Sequence, residues 1–335
     1  MPRLTNMDEF FVHQIPEPLP NVVTYHEFWR ESLFFIMHRR DGLGDVVILT
    51  LASFPARQEM DSLQLGRIGD VATMMQHVRH FDGDPHTMNV GPVQIDIAEP
   101  FKTVHLHVDD VPAAPVALDL TFTARTAPYG LRRGTMRAGH ELIWDQSHMV
   151  QSGSFSGTFT HQGTTHQVDE WWGQRDHSWG IRNHARCPLW MWLAIQLPEA
   201  MIAVWHWEYP NGAQVYTDGC YGPADGSDPI PVVDFRHELH WIDAGGNEVS
   251  YGRNGETVIG VAGRVEITLE GGRVIGVEAS GRWAQRYGDL GGGLNEVTVR
   301  TDDGIAGTAI YELTGAHHHR YFPVARAENL PPDRA

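Results

Sequence analysis

Val104, Leu106 and Val108 alternate with His105, His107 and Asp109, and Val116, Leu118, Leu120 and Phe122 alternate with Ala117, Asp119 and Thr121. A period of two sends successive side chains to opposite faces of an extended chain, the mark of a half-buried strand. Turn signals join such runs into hairpins. Residues 32–37 and 45–51 flank Asp41-Gly42-Leu43-Gly44, and residues 154–160 and 165–168 flank His161-Gln162-Gly163. Farther on, 201–209 and 213–221 flank Pro210-Asn211-Gly212, whose Asn-Gly pair is a strong hairpin signal. Residues 265–269 return along 274–277 through Gly271-Gly272, and 296–300 return along 308–313 through Asp302-Asp303-Gly304. Helical spacing is scarce. Only 62–80, with Leu63, Leu65, Ile68, Val71, Met74, Met75 and Val78, partly fits a 3.6-residue period and predicts one helix.

Many short strands with frequent turns and no long repeat predict a sandwich or barrel. The 335 residues exceed what one hydrophobic core usually serves, so two domains are expected. We place their boundary near residue 185, giving domains 1–185 and 186–335. A charge of 25 − 42 = −17 argues against nucleic acid and anionic membrane surfaces as partners. Cys187 and Cys220 make no disulfide framework and no CxxC pair. With no apolar signal core after Met1 and no apolar run of membrane-spanning length, a cytoplasmic protein is expected. A homodimer is left open.

Residues 171–182 stand apart: Trp171-Trp172-Gly173-Gln174-Arg175-Asp176-His177-Ser178-Trp179-Gly180-Ile181-Arg182. Three Trp on a solvated surface would be adhesive, whereas the same charges in a core must be paired. A wall between an apolar cavity and a polar network meets both demands. A structural ion-pair cluster, with Asp176 bound to Arg175 or Arg182, meets them equally. Strand parity limits the options: Trp172, Gln174, Asp176 and Ser178 share one face, and Arg175, His177 and Trp179 the other. Only one set can touch a ligand directly.

The stretch Gln151-Ser152-Gly153-Ser154-Phe155-Ser156-Gly157, followed by Gly173 to Arg182, resembles the lipocalin-type superfamily of AttH proteins and hydroxyneurosporene synthase (carotenoid 1,2-hydratase). The resemblance implies an all-β chain of two tandem lipocalin-like (calycin) antiparallel barrels. It also implies that Asp176, in Asp176-His177-Ser178-Trp179-Gly180, is the acid. Arg before Asp176, and Arg182 after Ile181, set the chain apart from the carotenoid enzymes.

The expected function is therefore a cofactor-independent hydratase, isomerase or cyclase acting on an apolar terpenoid-, steroid- or polyketide-like molecule. Asp176 would be the acid, His177 its relay, and Arg175 and Arg182 would fix it. Trp172 and Trp179 would wall the cavity. Gln151, which opens the hairpin bearing the motif, could orient a ligand oxygen. His148 could face the same cavity or lie on the surface. Trp190, Trp192, Trp205 and Trp207, spaced i, i+2 on two joined strands, pack across strands, or line the second barrel or an interdomain cleft, with Trp205 the candidate ligand contact. The alternative is a non-catalytic carrier of a lipophilic ligand. No metal is expected: His105 and His107 fall on the solvent side of their strand, His317-His318-His319 stands alone, and no zinc-type spacing occurs. Gly153-Ser154-Phe155-Ser156-Gly157 has Phe where an esterase elbow needs its nucleophile, and no dinucleotide or phosphate loop is present.

Overall fold

The computed structural model describes residues 3–14, 26–82, 84, 86–186, 189–209, 211–251, 255–288 and 291–315. These form two compact units. The first comprises the described residues within Met1–Arg40, Gly44–Asn183 and Asp225–Ser227, the second those within Asp41–Leu43, His184–Ala224 and Asp228–Ala335. Cys187 and His317 to His319 lie outside the described residues. Cys220 is free and buried.

The first unit contains strands β1 (Trp29–His38), β2 (Val46–Phe54), β3 (Glu59–Ile68), β4 (Val71–His80), β5 (Asn89–Val90), β6 (Val93–Glu99), β7 (Thr103–Val108), β8 (Val116–Ala124), β9 (Tyr129–Ala138), β10 (Glu141–His161) and β11 (Thr164–Arg182). Their order is β4-β3-β2-β1-β11-β10-β8-β7-β6-β5, with β9 paired to the start of β10. All pairings are antiparallel, and the sheet curls into a nearly closed barrel around Leu33, Phe35, Leu49, Leu106, Phe122 and Phe155. The backbone ladder does not complete the circle, since β4 and β5 are not paired with each other, but side chains of β3 bond to the backbone of β8 and β5. Gln64 Nε2 donates to the Val116 carbonyl at 2.7 Å, and its Oε1 accepts from the Val116 amide at 3.2 Å. Beside it, Ser62 Oγ donates to the Val90 carbonyl at 2.9 Å. A carboxamide carries the same donor and acceptor as a peptide group, so Gln64 pairs with the Val116 backbone as a ladder partner would.

The second unit holds β12 (Leu189–Leu197), β13 (Ala200–Glu208), β14 (Gln214–Pro223), β15 (Ile230–His237), β16 (His240–Ile242), β17 (Glu248–Val249), β18 (Gly260–Leu269), β19 (Val274–Arg286), β20 (Gly292–Thr301) and β21 (Ala306–Thr314). Here β15 pairs with β18, so eight strands close on themselves and leave no edge among them. Leu193, Val204, Phe235, Val265, Val277 and Tyr311 fill the interior. The architecture is all-β, two antiparallel barrels, as the alternation and the resemblance imply.

The predicted helix over 62–80 is instead the β3–β4 hairpin. Ile68 pairs with Val71 across the two-residue turn Gly69-Asp70, in which Gly69 takes a φ of 57°. A Gly-Asp turn is a hairpin signal. The helical fit arose because Met74 and Val78 on the outward face, and Val71 beside the turn, are apolar yet exposed, which blurs the two-residue period. No helix among the described residues is long and apolar enough to cross a membrane.

Gln64→Ala should leave the buried Val116 amide and carbonyl without their partners. At about 1–3 kcal/mol for each unsatisfied group, urea denaturation should show a loss of a few kcal/mol. Amide exchange should quicken first at Val116 and its β8 neighbours.

Candidate functional site

β11 lies between β1 and β10, with Asp176 opposite Phe34 on one side and Val150 on the other. Its pairing runs without a register shift from Trp171 to Arg182. Two motif glycines explain this close fit: a Cβ on Gly173 would lie 2.0 Å from the Ile36 carbonyl oxygen, and one on Gly180 2.1 Å from that of Asp145. Gly180 also takes a φ of 135°. Because the strand is regular, parity is strict. The motif is divided between two faces.

On the barrel-interior face stand Arg175, His177 and Trp179. Arg175 is 1% exposed and forms a two-pronged pair with Glu9, Nη1 to Oε2 at 2.7 Å and Nη2 to Oε1 at 2.5 Å. Its Nε and Nη2 also donate to Gln151 Oε1, at 3.0 and 2.7 Å. Gln151 Nε2 in turn donates to the carbonyls of Phe101 and Thr126, each at 2.8 Å. The Gln151 amide is thus engaged in holding Arg175, rather than presented to a ligand oxygen. Glu9 ends the one-turn 3₁₀ helix Asn6–Glu9, and two residues on Phe11 sits in the hydrophobic core. A planar guanidinium met by a carboxylate in a dry site is the arrangement that lets a buried charge be tolerated.

Beside this pair lies a second cluster. Glu31 Oε1 is 2.5 Å from His13 Nδ1 and 3.1 Å from His177 Nε2. His13 Nε2 is 3.0 Å from Asp8 Oδ1, and His177 Nδ1 donates to the Asp8 carbonyl at 2.6 Å. Trp179 stacks on His13, ring centroids 3.5 Å apart. Burial raises the Glu31 carboxyl, but hydrogen bonding and charge from His13 and His177 outweigh it and leave the group below its ordinary value. For His13, burial pulls downward, yet the Glu31 and Asp8 carboxylates dominate and raise it.

The opposite face of the sheet carries Trp172, Gln174, Asp176, Ser178 and Arg182. Asp176 Oδ1 lies 3.0 Å from His148 Nε2, and both residues are buried. Asp176 therefore meets neither Arg175 nor His177 as expected; its partner is on β10. His148 is a buried residue, not a surface one. Burial lowers its pKa more than the nearby Asp176 carboxylate raises it, so the imidazole is held neutral. Arg182 donates to Ser178 Oγ and lies over the Trp144 ring, and Arg125 lies over Trp172 at 4.8 Å. Trp172 and Trp179, seven residues apart, face opposite ways, so they do not wall one cavity together. The four β12–β13 tryptophans share a face, Trp190 opposite Trp207 and Trp192 opposite Trp205. It is the face away from Leu193 and Val204, so Trp205 does not line the interior of the second barrel.

The second unit carries a cavity of about 760 Å³ lined in part by His206, Glu208, Gln214, Phe235, His237 and Arg264. Within it, Glu208 Oε1 lies 2.8 Å from His206 Nε2 and 3.3 Å from His237 Nε2.

Asp8, Glu9, His13 and Glu31 were not identified from sequence. Glu31 had a signal: it stands at an interior position of a strand whose later members on that face are Leu33, Phe35 and Met37. A carboxylate among them demands a partner.

A model of a family of unknown function (DUF8625) matches residues 4–253. No curated protein matches the sequence. Among solved structures, an AttH-type protein from Nitrosomonas europaea superposes with a TM-score of 0.61 at 13% identity, covering 89% of this chain and 97% of that one. Kievitone hydratase from Nectria haematococca gives 0.52 at 13% identity, over 85% and 88% of the two chains. CghA with Sch210972 gives 0.54 at 12%, over 86% and 88%. At such identities the likeness is one of fold.

Replacing Glu9 by Gln or Arg175 by Met strands one buried charge or its partner, and should cost roughly 3–5 kcal/mol in urea denaturation. Arg175→Lys should recover only part of this, because an ammonium cannot reproduce the fork. A pH effect is expected from His38, on the Asp176 face, whose pKa burial lowers to about 4 from 6.5. The unfolded chain takes up this proton as pH falls through 6.5 while the folded one does not. Stability is therefore fully present above 6.5 and lost toward 4, by at most about 1.4 kcal/mol per pH unit. In His38→Gln, the drop between neutral pH and about pH 5 should shrink accordingly.

Proposed function

The chain belongs to the DUF8625 family, and we propose that it is an acid–base enzyme, a hydro-lyase or isomerase, acting on an apolar small molecule. The observation carrying this reading is the buried Asp176–His148 pair at 3.0 Å. A carboxylate against a neutral imidazole can take one proton from a ligand atom and return one at another, ending in the state in which it began. Addition or removal of water across a double bond, and migration of that bond, need one proton in and one out. The required groups reside in the protein, so the chemistry needs no organic cofactor.

Position supports the assignment. Asp176 and His148 stand on adjacent strands pinned by continuous ladders, which fixes their separation before any ligand arrives. Trp144 and Phe34 on the same face supply apolar surface, and Gln146 and Gln174 supply buried carboxamides able to orient an oxygen. Arg175 and His177 take no direct part, since they project through the sheet to the other side. The fold is shared with a protein named a hydratase and with one solved with a small molecule. Both agree with this reading.

A lipophilic carrier is the second reading; the cavity in the second barrel gives it room for a small molecule, but not an apolar wall. Its carboxylate and imidazole lining suits a polar ligand better than a greasy one. A carrier returns its ligand unchanged.

Asp176→Asn keeps the shape of the side chain and removes the proton carrier. Because His148 is already neutral, the substitution strands no cation. Turnover of a responsive substrate, or deuterium uptake into it from heavy water, should fall roughly 10²–10⁴-fold, while the melting temperature moves little. A stable variant with undiminished exchange would remove Asp176 from the chemistry. A collapsed melting temperature would make the pair structural.

A further inference from the structure

We propose that His13 Nδ1, His177 Nε2 and a carboxylate oxygen of Glu31 form a three-ligand site for a divalent first-row transition metal, with zinc the best fit. These atoms all lie within 4.8 Å of one another. His177 Nδ1 is 2.6 Å from a carbonyl oxygen, which only accepts, so the ring hydrogen is on Nδ1. That leaves the Nε2 lone pair directed toward Glu31. His13 Nε2 faces the Asp8 carboxylate at 3.0 Å, and its Nδ1 is directed to the same Glu31 oxygen, at 2.5 Å. Hydrogen bonds hold these atoms together in the metal-free protein, and a divalent ion that displaces the shared protons meets two ring nitrogens and an anionic oxygen already converging on one point.

Asp8 makes this a metal site rather than a chance meeting of histidines. It takes one imidazole with its side chain and the other with its main chain. Metal-bound histidines are oriented in this way, the distal N–H donating to a carboxylate or carbonyl. Two imidazoles and one carboxylate suit zinc or ferrous iron and leave a coordination position open. The carboxylates of Asp8 and Glu31 supply two negative charges, which one divalent ion offsets.

Bonds of about 2.0–2.1 Å in tetrahedral geometry hold ligand atoms about 3.3 Å apart. The Glu31–His177 spacing of 3.1 Å is nearly there. The Glu31–His13 spacing of 2.5 Å must widen by somewhat less than 1 Å. His13 can move: its side chain is 15% exposed, and Asp8 beside it is 20% exposed, which also gives an ion its way in. The ligands come from positions 13, 31 and 177, a spacing no linear motif describes, which is why the sequence predicts no metal.

The test uses the full, untagged chain with His317, His318 and His319 replaced by Ala, so that the histidine run cannot bind metal. The protein is stripped with a chelator and titrated with zinc by calorimetry, and cobalt is used to report coordination through its visible absorption. We expect one zinc per chain and a tetrahedral cobalt spectrum. His13→Ala should weaken zinc binding by about 100-fold or more, and Asp8→Asn by roughly 10–100-fold through loss of orientation alone. His177→Ala removes a wholly buried ring and could fail to fold, so the partly exposed His13 carries the test, with its fold checked by circular dichroism. His105→Ala, on an exposed face, should bind as the parent does. Absence of stoichiometric zinc binding, or an affinity unchanged in folded His13→Ala, would overturn the proposal. Because the readout is binding on the face opposite Asp176, it stands or falls apart from the catalytic reading.

Discussion

β11 has a neighbour on each edge, and along residues 173–178 both of its faces are buried. Every polar side chain placed there must find its partner within reach of a fixed Cβ direction, because a strand offers no third side. The consequences run through the first barrel. Arg175 requires an anion on the interior face, and the chain supplies Glu9 from its N-terminal segment. His177 requires acceptors there, and Asp8 and Glu31 provide them. Asp176 looks the other way and meets His148. A segment dense in charge is thereby divided into separate clusters, each assembled from a different part of the sequence.

The interior clusters also bear on how the N-terminal segment is held. A one-turn 3₁₀ helix has almost no stability of its own. Residues 5–13 stay in place because Phe11 enters the core, Glu9 receives Arg175 and the amide of Phe101, and Asp8 and His13 engage β1 and β11. Replacing both Glu9 and Arg175 by apolar residues of matching shape could be nearly neutral, whereas removing either alone is costly. What the ion pair contributes is selection of one docked position, since no other cation–anion register satisfies both groups in a site closed to water. The two barrels differ in the same spirit at their seams. The second joins β15 to β18 through the backbone, while in the first β4 and β5 stay unpaired with each other and Gln64 bonds β3 to the β8 backbone.

How much of this was legible in the sequence follows from the range of each signal. Alternation and turns are local, so the hairpins at 32–51, 154–168 and 201–221 could be read directly. Parity within 171–182 is also local, and it correctly separates Asp176 from Arg175 and His177. The 62–80 segment misleads because exposed apolar residues on β4 add false positions to the pattern. Partners are another matter. Nothing near Arg175 indicates Glu9, and nothing near Asp176 prefers His148 to Arg182. Their meeting depends on strand order and register, which local pattern does not encode. Glu31 is the intermediate case, a carboxylate at an apolar-face position that announces a need without naming who fills it.

The two faces differ in rigidity, and this orders what each can do. Asp176 and His148 are carried by β11 and β10, whose shared ladder continues past both residues and fixes their separation. Acid–base chemistry depends on such fixed separation, because small displacements of a proton carrier are expensive in rate. The interior cluster joins two strand residues, Glu31 and His177, to Asp8 and His13 on a short segment that tertiary contacts alone retain. A site of that kind tolerates adjustment, which an ion entering between ligands requires and a catalytic pair does not. Position on the scaffold thus agrees with the chemistry read from each cluster: the preformed pair suits proton transfer, and the pair of strand residues awaiting a movable third ligand suits metal capture.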